Sequence, residues 1–377
     1  MLKVLYHHRI ASKDGQYVHI ESIVNAFKRK GDIVRLVGPE FTDNTEFGHD
    51  GGFVNTLKSK LPKFIYEFAE LGYSLVVAKR LIKEIKTNRP DIIYERYNLY
   101  QPIGVMIAKW YKIPLILEVN APLKEERQKH SGLGMPWLAQ IVENYTWKNA
   151  SKVLPVTKVL ADICVNNGVK KESIEIIHNG VTEEQIKVRR MISKKNEDNI
   201  VIGFVGFMHL TCGVAEAIKV IAKIGNKKVK LVCAGDGEQA DELKLLAEKL
   251  GVSDQVDFLG LVSREEIMKH VDFFDIALQP DVTEYASPLK LFEYMVSKCL
   301  IIAPDSDNIK EILTDESALF FKYKDKVDFS SKLEFCLNNI DSLESKKEAA
   351  FDRLSEAGFT WDNNVVRIKK LASDLIK

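Results

Sequence analysis

The chain has 377 residues, which suggests two domains, and its 46% hydrophobic and 28% charged residues are the balance of an ordinary globular protein. A net charge of +1 provides no strongly basic domain, so we expect no nucleic-acid partner. The five scattered cysteines form no C-x-x-C pair and indicate neither a zinc site nor a disulfide framework. No apolar run approaches the ~18 residues of a membrane span and no secretory leader is visible, so we expect a cytoplasmic location.

Short apolar runs alternate with amphipathic segments through the first half of the chain. The runs predict strands at Lys3–Tyr6, Ile33–Val37, Ile92–Tyr94, Leu115–Val119, Val153–Val156 and Ile174–Ile177. The amphipathic segments predict helices at Val18–Lys30, Phe64–Lys86, Ile103–Trp110, Leu138–Asn149 and Thr157–Asn167. Strands that alternate with helices form a parallel sheet covered on both faces.

The alternation begins again after a polar stretch, Glu183–Asn199, which we interpret as the linker. Strands are predicted at Ile200–Val205, Val229–Ala234, Val256–Leu259, Ile276–Gln279 and Leu300–Ala303. Helices are predicted at Val214–Ile224, Gly237–Leu250, Arg264–His270, Leu289–Met295 and Ile309–Leu313. The sequence therefore predicts two doubly wound α/β domains, 1–185 and 198–358, followed by an amphipathic helix at 361–377. In such sheets ligands bind outside the carboxyl ends of the strands, so the cleft between the domains is the expected site.

Two glycine-containing stretches follow strands of the second half. Gly203–Gly213 (GFVGFMHLTCG) leads into a helix start, where free backbone N–H groups suit a phosphate. A tight strand-to-helix turn explains the same glycines without a ligand. Ala234–Glu238 (AGDGE) also ends a strand, but Asp236 would repel a phosphate, so a turn with a helix cap is favoured there.

A third stretch, Tyr285–Met295, predicts a helix with Ser287 as N-cap and Pro288 as its first residue. Its N-terminal N–H groups and Lys290 are suited to a diphosphate, and Glu293 to the hydroxyls of a ribose. A capped amphipathic helix with a solvated lysine and glutamate explains the pattern equally well.

Polar residues also follow strands of the first half. Glu118 and Asn120 lie at the end of an apolar strand, Glu95 and Arg96 end another, and Gly15 and Gln16 precede the helix that contains His19. Buried polar groups need partners or a ligand, so these residues form a second candidate site. The alternative is a Glu–Arg pair whose members satisfy each other.

Taken together and in this order, these stretches resemble the retaining family-4 glycosyltransferases of the GT-B fold. The resemblance covers nearly the whole chain. It is carried by SPLKLFEYM (287–295), EVNAPLKEER (118–127), YERY (94–97), HNGV (178–181) and VDFLG (256–260), and by Trp361 at the start of a C-terminal helix that crosses back to the N-terminal domain.

The resemblance implies a metal-independent retaining transfer of a sugar from a nucleoside-diphosphate sugar to a saccharide or lipid-linked acceptor, with no separate cofactor. The C-terminal domain would bind the donor and the N-terminal domain the acceptor. The implied donor-binding residues are Gly206, Phe207, His209, Gly213, Gly235, Leu259, Val262, Ser287, Pro288, Leu289, Lys290 and Glu293. The implied acceptor-binding residues are Gly15, Gln16, His19, Glu95, Arg96 and Asn120, and the implied catalytic residues are Glu118, Asn120 and Lys290.

Several positions depart from the family pattern. Phe207 and Cys212 stand where many relatives carry an arginine and a lysine, Tyr285 stands at the first position of a Glu-x7-Glu pair, and Asn120 stands in place of a histidine. Two alternatives therefore remain open: a catalytically weak nucleotide-sugar-binding relative, and a sugar-nucleotide epimerase of the same fold. A dinucleotide-dependent enzyme is disfavoured because no G-x-G-x-x-G follows the first strand.

Two further patterns concern metal and membrane. Asp305-Ser306-Asp307 is a D-x-D sequence, but a loop turn explains it and we expect no metal. The segment Asn55–Lys86 mixes seven lysines and arginines with apolar residues, which is typical of a helix on an anionic membrane surface or of a domain helix with a solvated basic face.

Overall fold

The computed structural model describes residues 1–10, 15–39, 62–190, 199–209 and 213–376. The chain divides into two compact units. Unit 1 comprises Met1–His178, Tyr285–Ser287 and Trp361–Lys377, and unit 2 comprises Asn179–Glu284 and Pro288–Thr360.

The division differs from the predicted boundaries at residues 179–185, which group with unit 2. The reason is local: the Val181 N–H donates to Phe359 O at 3.1 Å. A Cβ on Gly180 would lie 2.5 Å from the same carbonyl oxygen, so this segment runs directly along Phe359. The polar stretch interpreted as a linker begins with a helix, Glu183–Arg190.

Unit 1 contains a five-stranded parallel sheet in the order β2-β1-β3-β4-β5. The strands are β1 Lys3–His7, β2 Ile33–Val37, β3 Ile92–Arg96, β4 Leu115–Val119 and β5 Lys152–Pro155. Every residue of β3 and β4 is buried, as expected for central strands covered on both faces.

Eight helices, counted over the described residues, accompany this sheet in unit 1. They are α1 Gly15–Arg29, α2 Lys63–Gly72, α3 Ser74–Thr87, α4 Ile103–Tyr111, α5 Leu123–His130, α6 Pro136–Asn149, α7 Lys158–Asn166 and the C-terminal helix Trp361–Ile376. The C-terminal helix packs beside α1, where Arg29 donates to Asp362 at 2.8 Å. Its first residue, Trp361, is fully buried.

Unit 2 contains a six-stranded parallel sheet in the order β11-β10-β9-β6-β7-β8. The strands are β6 Ile200–Val205, β7 Val229–Ala234, β8 Val256–Gly260, β9 Ile276–Leu278, β10 Leu300–Pro304 and β11 Leu319–Phe321. The helices are α8 Glu183–Arg190, α9 Val214–Ile224, α10 Ala240–Lys249, α11 Arg264–Val271, α12 Leu289–Val296, α13 Asp307–Lys310, α14 Lys326–Asn338 and α15 Glu344–Glu356, so that the C-terminal helix is α16.

The prediction of a strand at Ile174–Ile177 was wrong. This segment runs beside β5, and Glu175 and Ile177 donate to the carbonyls of Val153 and Pro155 at 3.1 Å. A parallel ladder would also need an N–H from residue 155 toward Glu175, and proline has none. The pairing therefore stops at one isolated bridge, Val153 with Ile174.

The predicted helix Phe64–Lys86 is two helices, α2 and α3, that meet at Tyr73. Gly72 and Ser74 flank the break, and both residues have lower helix propensity than the alanine, leucine and lysine around them. The one-turn helix α13 lies slightly earlier than the predicted Ile309–Leu313. Strand β11 and helices α5, α14 and α15 were not predicted.

Candidate functional site

The glycine-containing segments of unit 2 meet at the carboxyl edge of its sheet. The Gly206 N–H donates to Ala234 O, and the Gly235 N–H donates to Gly260 O, both at 2.9 Å. The loops after β6, β7 and β8 thus lie side by side in the order of their strands. A Cβ on Gly235 would lie 2.1 Å from Gly206 O, so glycine is required there by contact between two backbones.

The loop after β6 leads into α9. Gly213, in the left-handed region with φ of 71°, is the N-cap of that helix, and a Cβ there would lie 2.4 Å from the Pro280 side chain. Phe207 is 59% exposed and stacks on His209 with ring centroids 6.2 Å apart. An exposed aromatic pair thus stands beside the predicted diphosphate loop, while Cys212 lies outside the described residues.

Two side chains of helix α12 form hydrogen bonds with the backbone at the end of β6. Lys290 Nζ donates to Val205 O at 2.9 Å and lies 4.9 Å from the centroid of the Phe204 ring. One turn further on, Tyr294 accepts the Val205 N–H at 3.0 Å. A Cβ on Gly206 would lie 3.2 Å from Lys290 Nζ, so the structure brings together the cation and the glycine loop that the sequence singled out.

The start of α12 differs from the prediction. Its N-cap is Pro288, with ψ of 122°, and the first helical residue is Leu289, one position later than expected. Ser287 groups with unit 1 and lies before the N-cap of α12. The extended backbone at Pro288 excludes it from the first turn, so the N–H groups facing outward from α12 begin at Leu289.

The remaining donor-site residues of unit 2 fall on the same edge or on α12. Leu259 and Val262 are half-buried, on β8 and just after it. Glu293 is buried on α12, between Lys290 and Tyr294 in sequence. Asp236 accepts the Gly237 N–H at 2.8 Å in the turn before α10, and the N-cap of that helix is Gln239.

In unit 1 the candidate residues converge on Glu118, at the end of β4. Its Oε1 accepts from Arg96 at 2.6 Å and from Asn120 at 2.5 Å, while Oε2 accepts from Tyr94 at 3.0 Å and lies 2.9 Å from His19 Nε2. Burial raises the pKa of Glu118, but His19, Arg96 and Asn120 together hold it at about 2. Both oxygens have protein partners, and the pair of Glu118 with Arg96 is an example of the satisfied Glu–Arg pair that the alternative interpretation expected.

Glu95, at the end of β3, pairs with His7, whose Nδ1 lies 2.7 Å from Glu95 Oε2. A Cβ on Gly104 would overlap that carboxylate, so Glu95 is packed in closely. His19 contacts the ring of Trp361 edge-on at 4.8 Å. Gly15 and Gln16 are exposed at the start of α1, and residues 11–14 before them lie outside the described part of the chain.

A further group of charged residues in unit 1 was not recognised from the sequence. Glu70 on α2 accepts from Arg9, 3.4 Å away, and from Arg127 on α5. These residues line a cavity of about 450 Å³ after β1, β3 and β4. Behind it, Glu143 on α6 accepts from the Tyr97 hydroxyl at 3.0 Å and from the Lys124 N–H at 3.1 Å.

Among the described residues, no group of three or more His, Cys, Asp or Glu side chains is placed to hold a metal ion. Over the same residues, no helix is both long and apolar enough to span a bilayer. Asp305 accepts the Tyr323 N–H at 2.9 Å, and Asp307 begins α13, so the D-x-D sequence lies in a strand-to-helix turn.

The fold is similar to that of several solved structures. Anabaena HepE, solved in complex with UDP, matches over 99% of this chain and 100% of that chain, with a TM-score of 0.73 and 17% sequence identity. Sucrose-phosphate synthase from Thermosynechococcus elongatus matches over 100% of this chain and 99% of that chain, with a TM-score of 0.71 and 14% identity. These likenesses define the class: the two parallel-sheet α/β units have the GT-B fold.

Two family models define the family. The one described as Glycosyltransferase Family 4 matches residues 13–185, and the one described as Glycosyl transferases group 1 matches residues 185–353. The chain therefore belongs to the family-4 glycosyltransferases with a group 1 domain. An uncharacterised glycosyltransferase of Methanocaldococcus jannaschii is 28% identical over 177 residues, which cover 44% of this chain and 45% of that protein. The match spans about half the length of such curated relatives.

Proposed function

We propose that this protein transfers a sugar from a nucleoside-diphosphate sugar to a saccharide or lipid-linked acceptor, with retention of the anomeric configuration and without a metal ion. Unit 2 binds the donor and unit 1 binds the acceptor. The observation that carries the proposal is the position of Lys290 Nζ, 2.9 Å from Val205 O and beside Gly206 at the carboxyl end of β6. At that point a cation and the N-terminal N–H groups of α9 and α12 serve the same anion.

The order of the loops in unit 2 fits a nucleoside diphosphate laid along the sheet edge. In this proposal the segment from Leu259 to Val262 receives the base, Glu293 the ribose, and Lys290 with the first turns of α9 and α12 the diphosphate. We propose uridine as the base, because Anabaena HepE, which has this fold, is described in complexes with UDP and with UDP-glucose.

In this mechanism the leaving diphosphate takes up charge as the sugar–oxygen bond breaks. Fixed N–H dipoles and the Lys290 ammonium stabilise that charge without rearranging during the reaction. The departing phosphate oxygen accepts the proton of the acceptor hydroxyl, which attacks the same face of the sugar. This route needs no pair of catalytic carboxylates and assigns Glu118 to orienting His19 and Asn120.

Membrane contact is proposed for helices α2 and α3 of unit 1. Phe64, Phe68 and Leu75 are 48%, 55% and 70% exposed, and Lys79 and Lys83 are exposed on the second helix. Exposed apolar side chains beside lysines are typical of a helix on an anionic bilayer. Sedimentation with phosphatidylglycerol vesicles, but not with phosphatidylcholine vesicles, is expected, and Phe68→Ser should reduce it. Residues 55–61 of the predicted basic segment lie outside the described residues.

The donor assignment is tested by calorimetric titration of the intact protein with UDP and with uridine. Lys290→Ala should lower UDP affinity by about 1.5–3 kcal/mol, the range for hydrogen bonds to charged groups, and should leave uridine binding unchanged. Lys223→Ala is the matched control, because Lys223 lies in the last turn of α9 and pairs with Glu334 at 2.7 Å. Equal losses for UDP and uridine would show that Lys290 supports the fold and not the diphosphate.

Turnover is tested separately with UDP-glucose and proton NMR of the released or transferred sugar. An α-configured product supports retention, and a β-configured product contradicts it. The second candidate, nucleotide-sugar binding without transfer, is motivated by Phe207, which presents an exposed ring where the resemblance places a cation. UDP binding without any sugar release would establish that alternative.

A further inference from the structure

The cavity of unit 1 lies where its sheet would present a ligand. It is lined by Arg9 after β1, by Asn98 after β3, by Arg127 on α5 after β4, and by Lys63 on α2. The segments that follow three neighbouring parallel strands thus meet in one cavity of about 450 Å³. This volume lies in the range of pockets that bind small molecules and accommodates a sugar-sized group with a charged substituent.

Cations outnumber carboxylates on its walls. Arg9, Lys63 and Arg127 are the basic side chains, whereas Glu70 and Glu126 are the carboxylates. Both carboxylates already accept hydrogen bonds: Glu70 accepts from the two arginines, and Glu126 accepts from the Tyr285 hydroxyl. Within the described residues no carboxylate pairs with Lys63, whose Nζ would lie 2.5 Å from a Cβ on Gly132.

The two arginines have donors to spare. Each guanidinium carries five N–H groups, and among the described residues each donates to Glu70 alone. Their positions are set by aromatic rings: Arg127 lies 5.4 Å from the ring centroid of Tyr66 and 5.6 Å from that of Tyr100, and Arg9 lies 5.3 Å from that of Tyr73. Guanidinium groups fixed in this way lose little freedom when they bind an anion.

We infer that this cavity binds a phosphate group carried by the acceptor, with Arg9, Arg127 and Lys63 as its donors. Paired guanidinium forks match the oxygens of a phosphate, and the cavity lies on the unit to which the proposed function assigns the acceptor, so the inference rests on that function. Glu70 is a positioning residue, since it holds both guanidinium groups and would itself repel the phosphate.

The test uses the intact protein saturated with UDP, which occupies the proposed donor site of unit 2. Any further anion that binds is then assigned to the cavity of unit 1. Glucose 1-phosphate, farnesyl diphosphate in detergent, and glucose are titrated by calorimetry. Binding of either phosphate, without binding of glucose, is expected. Binding of glucose 1-phosphate identifies a soluble headgroup as sufficient, and binding of farnesyl diphosphate alone assigns the phosphate to a lipid.

Arg127→Met and Lys63→Met should each weaken the phosphate probe roughly 10- to 100-fold, while the affinity for UDP stays constant. Lys63 is exposed, so its replacement keeps the test valid if Arg127→Met does not fold. The control is Arg35→Met, which removes an arginine paired with Glu84 at 3.1 Å outside the cavity. Phosphate affinity unchanged in the cavity variants overturns the inference, and failure of UDP to bind overturns the proposed function instead.

Discussion

Glu143 provides a test of how burial controls the stability of unit 1. This residue is 2% exposed and accepts hydrogen bonds from the Tyr97 hydroxyl and the Lys124 N–H. Burial, which these hydrogen bonds only partly offset, raises the pKa of Glu143 from 4.5 to about 7. The folded protein therefore holds a neutral acid in a pH range where the unfolded chain has a carboxylate.

The sign follows from proton binding. Below pH 4.5 both states are protonated and the contribution of Glu143 is fully present; it is lost as the pH rises to about 7. The difference between the two pKa values corresponds to about 3 kcal/mol. Glu143→Gln keeps an oxygen for both hydrogen bonds but cannot ionise. The free energy of unfolding of the variant, relative to the wild type, should therefore rise by about 3 kcal/mol between pH 4.5 and 7 and stay constant above.

Urea unfolding followed by tryptophan fluorescence measures this change selectively, because all four tryptophans lie in unit 1 and Trp147 packs against Tyr97 at 5.5 Å. The free energy of unfolding of the variant is compared with that of the wild type because His8 changes the stability of both proteins with pH, in the direction opposite to Glu143. Burial and then His7 lower its pKa to about 4, so its contribution grows as the pH rises through this range. Glu172→Gln, an exposed control, should leave the profile unchanged. A Glu143→Gln profile parallel to wild type would refute the reasoning.

Three further outcomes follow from the contacts in both units. Gly235→Ala should destabilise unit 2 more than Gly251→Ala does, as measured by hydrogen exchange. Both glycines have positive φ, but only at Gly235 would a Cβ lie 2.1 Å from Gly206 O. Equal effects of the two substitutions would contradict the close approach of the two loops. Glu118→Ala should lower the free energy of unfolding of unit 1 by about 3–5 kcal/mol, the range for removing one partner of a buried ion pair. The reason is that Arg96, whose side chain is 7% exposed, is left without its carboxylate. A loss under about 1 kcal/mol in urea unfolding would show that the pair is not buried in solution. Chelation with EDTA should leave UDP affinity and turnover unchanged, and restoration of lost activity by Mg²⁺ would contradict metal independence.

The sequence predicted ten of the eleven strands because each combines an apolar run with a turn at both ends. The exception, β11, has three residues, too few for a periodic pattern. The predicted strand Ile174–Ile177 has the composition of a strand, but it lies beside Pro155, which has no N–H to donate. The sequence alone does not show which strand lies opposite this segment, so the effect of Pro155 could not be predicted. The start of α12 was predicted to within one residue, whereas α1 begins at Gly15, three residues before its predicted start, and α10 begins at Ala240, three residues after its predicted start.

The two halves of the candidate site differed in how far the sequence revealed them. Gly206 and Gly235 in unit 2 follow strands directly, and Lys290 lies in the first turn of α12, so their chain positions predict their place on the sheet edge. The group around Glu70 joins residues 61 and 57 positions apart, from α2, α5 and the end of β1, and no spacing rule links such elements. Among the charged residues of unit 1, the sequence suggested a satisfied Glu–Arg pair without naming its members, and the structure shows such a pair in Glu118 and Arg96, which end neighbouring strands.

The two units should also differ in how they tolerate amino-acid substitutions at their candidate sites. In unit 2 part of the candidate site is made of backbone: at Gly235 the contact with Gly206 admits no side chain. In unit 1 the corresponding edge is made of side chains, among them Glu118 and Arg127. Because a backbone site is constrained by the fold and a side-chain site by single residues, we expect substitution to alter acceptor selectivity more readily than donor selectivity.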